Sequence, residues 1–408
     1  GRAREVFVES LRLGLTSFGG PIAHLGYQRR AFVERLAWVD EETFAALVAL
    51  CQSLPGPASS QLSIAVGRIR AGWAGALAAF LGFTLPSAAL MTLVGLLVAG
   101  SALPQAGPVA GAIAGLKAAA VAVVAHAVVT MAGRLAPDVP RLAVAGAAAI
   151  VVLAWPVAPA QLATIVGAAI IGWLAWGRQT STKGDEHADE DAPDRFPRRV
   201  GDRRATLVLG LAFMVVLVAA IAAPVLVDSP PVRFAAAVAR AGALVFGGGH
   251  VVLPLLDAGV VAPGWITPDA FVAGYGFAQA VPGPLFTFAA YLGAISSAGP
   301  GGVAGATIST VAIFLPGALL VLAALPVLGG VARRPWLAGS LRGVNAAVVG
   351  ILAAALLTPV GTSGITSPAT GIIAAAGTAG LLSGRLPPLV VVAGAAAVMA
   401  VLGAAGLK

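Results

Sequence analysis

The chain has 408 residues, of which 59% are hydrophobic and only 10% charged, against roughly a quarter charged in a soluble domain. That excludes a water-soluble globule and points to an all-α integral membrane protein set in a lipid bilayer, with 52 glycines suiting close helix approach. The net charge of +8 is no nucleic-acid signature, because the arginines lie between apolar segments as loop charges do.

In chain order, the first region, 5–70, fits no simple span of about 20 apolar residues. It contains Phe18-Gly19-Gly20-Pro21, then a charged run whose Glu34, Asp40, Glu41 and Glu42 read as a solvated amphipathic face, then Pro55-Gly56-Pro57. Its first apolar stretch carries Glu9 and Arg12, which argues against a signal peptide. Spans are predicted at Trp73–Gly100, Val109–Met131, Leu142–Val157 and Gln161–Trp176. The stretch 178–204 follows, with seven basic and seven acidic residues, and reads as a solvated linker. Thr206–Val227 is a further span. The region 234–297 breaks like the first, at Phe246-Gly247-Gly248-Gly249 and Pro282-Gly283-Pro284. Spans at Val303–Gly330, Gly343–Leu357, Ser367–Leu382 and Pro388–Leu407 complete the chain.

The two broken regions are copies. Arg12, Gly14, Phe18, Gly19 and Gly20 match Arg240, Gly242, Phe246, Gly247 and Gly248 at a constant offset of 228. Trp38, Phe44, Gln52 and the first Pro-Gly-Pro match Trp265, Phe271, Gln279 and the second at 227. The chain therefore divides into a repeat at 1–177, the linker 178–204, a connecting helix at 205–230 and a second repeat at 231–408. If each broken region enters the membrane and returns as a re-entrant pair, the arginine-rich loops all fall on one side, the cytoplasmic one. Arg233 and Lys408 are the exceptions. The odd connecting span then inverts the second repeat, with the N-terminus and linker inside and the C-terminus outside.

Interrupted helices in inverted repeats mark a binding site near the midplane. Arg12 and Arg240, six residues before each Phe-Gly-Gly, are intramembrane charges. With the glycine amides they suggest a tetrahedral oxyanion held by guanidinium and N–H groups; for Arg12 the alternative is snorkelling, or pairing with Glu5 or Glu9. The expected substrate set is Arg12, Phe18, Gly19, Gly20, Gln52, Pro55, Gly56, Arg240, Phe246, Gly247, Gly248, Gln279, Pro282 and Gly283. Gln52 and Gln279 read equally as interhelical hydrogen bonders. Lys117, its repeat partner Asn345 and His126 are candidates for substrate or coupling groups, with a paired lysine and a structural histidine as the plain alternatives. His24 and His250 follow the two breaks at unequal distances. The single cysteine, Cys51, excludes an internal disulfide, and no metal-ligand spacing or cofactor motif occurs. No nucleophile, phosphate loop or paired carboxylates mark an enzyme, and an anion channel remains a second class of function.

Arg12-Leu-Gly-Leu-Thr-Ser-Phe-Gly-Gly-Pro21 with His24-Leu25, Gln52-Ser-Leu-Pro-Gly-Pro57 and Leu85-Pro86 resembles the chromate ion transporter family, whose long members carry two homologous halves. The resemblance covers nearly everything but the linker. It implies a secondary transporter exporting chromate, a sulfate-like dianion, across the bacterial inner membrane and conferring chromate resistance. Transport of another inorganic anion such as sulfate is the alternative, and a homodimer is one assembly open to such a chain. Gly249 stands where the first half has Pro21, so the two breaks differ.

Overall fold

The computed structural model describes residues 1–100, 106–177, 203–246, 249–327 and 335–406. Most of the predicted linker, and both Gly247 and Gly248, lie outside the described residues. Among the described residues the chain is helical throughout, without a strand.

Each half repeats one run of elements. The first half has α1 (Arg2–Thr16), α2 (Gly20–Arg29), α3 (Glu41–Ser53), α4 (Ala58–Ala99), α5 (Gly107–Leu135), α6 (Val139–Ala154) and α7 (Ala158–Trp176). The extra helix is α8 (Arg203–Leu226), and it packs on α9 and α13. The second half has α9 (Pro230–Leu244), α10 (Val252–Leu256), α11 (Pro268–Ala280), α12 (Phe288–Ile295), α13 (Gly302–Ala324), α14 (Pro335–Ala355), α15 (Pro368–Leu382) and α16 (Pro388–Ala404). Local devices recur at equivalent places. Asp40 caps α3 by accepting from the Thr43 N–H, and Thr267 caps α11 from the Ala270 N–H. A π-turn follows α2 at Arg30–Arg35 and α10 at Asp257–Val261.

The sequence reading began the first full span at Trp73, but α4 already starts at Ala58 and doubles back at Ala71–Gly72, where Gly72 has φ +67°. Gly67 and Gly75 then press together across the bend, as Gly293 and Gly305 do in the second half, where Gly301 and Gly302 make the turn. The pieces before and after Gly72 thus form a helical hairpin. A second hairpin is formed by α1 and α2 with its π-turn, because Arg35 pairs with Glu9 midway along α1. Arg70, at the end of the first piece of α4, pairs with Glu5 (3.0 Å). Both hairpins return to one arginine-rich end.

The second half is inverted relative to the first. From Trp73 to Ala99, α4 runs about 40 Å at 1.5 Å per residue. It starts at the bend of the first half, and its far end meets that of the second: Gly95 packs on Tyr291 and Ala294, and Leu96 on Gly302. Conversely, Val321 and Leu325 at the end of α13 join the core of the first half with Leu62, Phe32 and Phe44. Equivalent bends therefore sit at opposite ends of the molecule.

The halves also exchange their last helices. α16 packs antiparallel on α5, and α7 on α14. Small residues make these approaches possible: a Cβ at Gly115 would lie 2.2 Å from the Ala395 carbonyl oxygen, and one at Gly343 2.0 Å from that of Ala168. Of the long helices, α4, α5, α7, α8, α13 and the stretch Trp336–Gly364 have the length and apolarity of membrane spans, so the chain is a multi-pass membrane protein. α6, α15 and α16 are apolar helices of 15–17 residues, shorter than those six.

Substituting Gly115 by Ala must push α5 from α16 and should cost about 1–3 kcal/mol. Gly133, with nothing within 4 Å of an added Cβ, should accept Ala with unchanged or slightly higher stability. Thermal unfolding of the detergent-solubilised protein compares the two; equal melting temperatures would sink the packing argument.

Candidate functional site

The four breaks in the two halves meet at the centre of the molecule. The Gly56 N–H donates to the Val245 carbonyl (2.8 Å), and the Gly283 N–H donates to the Ser17 carbonyl (2.9 Å). Gly56 and Gly283 are equivalent residues, as are Ser17 and Val245, so the Pro-Gly-Pro loop of each half closes on the end of the first helix of the other. Both glycines have positive φ, +125° and +106°, a region that only glycine occupies without strain. Each is also crowded: a Cβ at Gly56 would lie 3.0 Å from Gly317 Cα, and one at Gly283 2.7 Å from Ser87 Oγ. Gln61 Nε2 braces the first loop by donating to the carbonyls of Pro55 (2.9 Å) and Gly317 (3.1 Å).

A cavity of about 540 Å³ opens from this centre. Its floor is Gly56, Ala58 and Phe246, and its walls include Gln52 and Ser53 of α3, Arg134 of α5, and Arg342 and Asn345 of α14. Among the described residues, no carboxylate lines it. Among the described residues, neither Arg134 nor Arg342 has an ion-pair or hydrogen-bond partner. The floor is also where α4 begins, so unpaired N–H groups of its first turn carry partial positive charge there. Two unpaired guanidinium groups, two side-chain amides and a helix start, without an acid, make a compartment for anions.

Most other arginines are already committed. Arg29 pairs with Glu41 (2.7 Å) and Glu34, and its hydrogen bond holds the Glu41 carboxyl below the usual range. Arg68 lies over Trp73, 4.4 Å from the ring centre, and Arg30 over Tyr27. The arginine-rich end is thus largely a self-neutralised rim, with the cavity arginines left over.

The structure sorts the sequence candidates. Gln52, Gly56, Phe246 and Asn345 come together at the cavity. Gly19 (φ +95°) and Gly20 (φ +76°) form the first break, beside half-buried Phe18. Pro55 and Pro282 flank the interlocked loops. Gln279 is buried, its amide nitrogen next to the Tyr275 hydroxyl without a hydrogen bond of normal geometry. Gly247 and Gly248 fall outside the described residues.

Arg12 and Arg240 do not converge on one anion. Arg12 is exposed in a surface groove with Glu9, Arg30, Glu34 and Arg35. Arg240 donates from Nη1 to the Ala220 carbonyl of α8 (3.2 Å). The reason is the extra helix: α8 covers α9, and among the described residues nothing equivalent covers α1. Of the expected substrate set, the amides of Gly56 and Gly283 are engaged, since they tie the halves together. Lys117 is a paired lysine, 2.9 Å from Asp269 of α11. His126 is half-buried and near His250, whose Nδ1 is 2.7 Å from the Tyr275 hydroxyl. His24 is buried beside Ser59 Oγ (3.4 Å) and edge-on to Phe83. Arg134 and Arg342 were missed because, in sequence, loop topology explains them fully. The available signal was the Arg342–Asn345 spacing, which puts both on one helix face a turn apart.

The profile described as chromate transporter matches residues 4–173 and again 232–401. The chain is 28% identical to a chromate transport protein of Pseudomonas aeruginosa over 369 residues, 86% of this chain and 79% of that one. It is 27% identical to a chromate transport protein of Cupriavidus metallidurans, covering 96% and 91% of the two chains. An uncharacterized transporter of Methanocaldococcus jannaschii is 26% identical, over 86% and 83%. No solved structure matches the chain.

The cavity geometry predicts an accessibility contrast. Cys51 is 1% exposed and should label slowly with a membrane-impermeant maleimide. Ser53→Cys in a Cys51→Ser background should label quickly from the arginine-rich face and not from the other. Equal labelling from both faces, or none, would contradict an open cavity at that end.

Proposed function

The chain belongs to the chromate transporter family, and we propose that it is a secondary transporter moving chromate, a tetrahedral dianion, across the bacterial inner membrane. The observation that carries this reading is the cavity in which, among the described residues, Arg134 and Arg342 are unpaired and no carboxylate stands, ending where the broken helices of the two halves meet. The dianion is held there by the two guanidinium groups, by the amides of Gln52 and Asn345, and by the first turn of α4. Sulfate has the same shape and charge and competes at the same groups; a preference between the two lies in radius and hydration.

Orientation follows from the arginines. The rim around Arg29, Arg35 and Arg70 faces the cytoplasm, as the positive-inside rule expects, so the cavity opens to the cell interior. The hairpin α1–α2, and α3 with the first piece of α4, each pair joined at a break, are then re-entrant from that side. Their breaks lie at mid-depth, where irregular backbone survives only inside protein or around a water-filled cavity. Binding from the cytoplasm suits export, and export of a toxic oxyanion confers resistance. An inside-negative potential favours it by about 2.3 kcal/mol per charge per 100 mV. Alternating access, rather than a continuous pore, fits a cavity closed at its floor by the interlocked loops.

Chromate uptake into inverted vesicles tests the reading. Arg134→Gln and Arg342→Gln should each raise the half-saturating chromate concentration about tenfold, equivalent to ~1.4 kcal/mol. Arg12→Gln and Arg240→Gln should change it less than threefold. The opposite ranking would restore the Arg12 and Arg240 pair as the anion site and remove the cavity arginines from it.

A further inference from the structure

The two halves share a sequence pattern but not a conformation. In the first half, α3 and α14 stand apart, with the cavity between Gln52, Ser53 and Asn345. The equivalent pair in the second half, α11 and α5, is closed. A Cβ at Gly276 would lie 2.6 Å from the Leu116 carbonyl oxygen, and Phe277 and Ala280 pack against a core that includes Leu116, Val391 and Ala395. Lys117 of α5 pairs with Asp269 of α11 across this closed seam. Carrying the cavity walls over by the repeat, Gln52 becomes Gln279, Ser53 becomes Ala280, Asn345 becomes Lys117 and Gly56 becomes Gly283. A latent counterpart of the cavity thus exists on the opposite face, folded shut.

We propose that Lys117 and Gln279 form a second oxyanion site on the face opposite the arginines, exposed when α11 separates from α5 and masked here by Asp269. The inference rests on the transport reading above and adds where the anion goes next. Three features carry it. Lys117 is the one cation that the repeat puts where the open cavity has Asn345, and its side chain is only 14% exposed. The Gln279 amide nitrogen is buried with only the Tyr275 hydroxyl beside it and no hydrogen bond of normal geometry, so a ligand entering the opened seam meets a donor not firmly committed. Asp269 is 66% exposed, so it can swing into water when an anion takes its place.

The exchange never leaves the lysine without an anion beside it. A largely buried ammonium left alone would be costly, but replacing the Asp269 carboxylate by an oxyanion keeps it compensated throughout. The pair is half in water, so its own strength is modest, as a latch that must release requires. The first half cannot mirror this latch, because the neutral Asn345 forms no ion pair.

The test uses the full-length protein in oriented vesicles, in a Cys51→Ser background carrying Ala280→Cys as reporter. From the face opposite the arginines, the impermeant maleimide should label Ala280→Cys at least threefold faster once Asp269→Asn or Lys117→Gln removes the latch. The two variants should then part in transport from that face. Lys117→Gln should raise half-saturating chromate about tenfold, whereas Asp269→Asn and Lys117→Arg should not. Labelling unchanged in both variants, or identical kinetics for Lys117→Gln and Asp269→Asn, would overturn the inference. Wild-type protein that moves no chromate would sink the functional reading alone, since the labelling needs no substrate.

Discussion

The architecture depends on two reciprocal hydrogen bonds, Gly56 to Val245 and Gly283 to Ser17. A helix interrupted in an apolar medium leaves N–H and C=O groups that cannot turn to water, and each such group costs several kcal/mol. Here neither half satisfies its own breaks. The loop amide of one half finds the orphan carbonyl of the other, and inversion lets the same exchange happen twice. This binds the halves at their least regular point and leaves the outer helices to be exchanged as well, α7 onto α14 and α16 onto α5. Neither half is then a complete folding unit: each has two unanswered breaks and one unpartnered small-residue face.

That constraint also explains which parts of the fold were legible in sequence. Pro-Gly-Pro triplets, the tryptophans and the paired Phe-Gly-Gly runs are required by backbone geometry, so they recur and expose the repeat. The arginine distribution follows a charge rule that acts on loops, so it exposed the inversion. The bend at Ala71–Gly72 was not legible, because a single glycine inside an apolar run looks like many others in a chain with 52 of them. The placement of Arg12 and Arg240 was not legible for a related reason. Symmetry in sequence made Arg12 and Arg240 look like a pair, but partners are set by what packs outside, and α8 exists on one side only. Arg134 and Arg342 carried no symmetry at all, Thr362 and Ala114 standing at the equivalent places, so their convergence is a property of the folded seam between α5 and α14.

The departures from symmetry are where function concentrates. A perfectly symmetric inverted repeat would hold its anion equally from both faces. Among the described residues, this chain has two unpaired arginines at one mouth and a single, carboxylate-paired lysine at the other. Electrostatic capture is therefore strong on the arginine side, where unpaired guanidinium groups draw anions in. On the lysine side a competing carboxylate belongs to the protein itself, and in the proposed second site it would reclaim Lys117 as the anion departs. Such a gradient of hold, from two permanent cations to one shared cation, opposes rebinding on the far side without needing a different fold for each half. It also assigns the membrane potential and the protein separate tasks. The potential acts on a dianion with about 2.3 kcal/mol per charge per 100 mV, whereas the side chains decide how readily that dianion is taken up and let go.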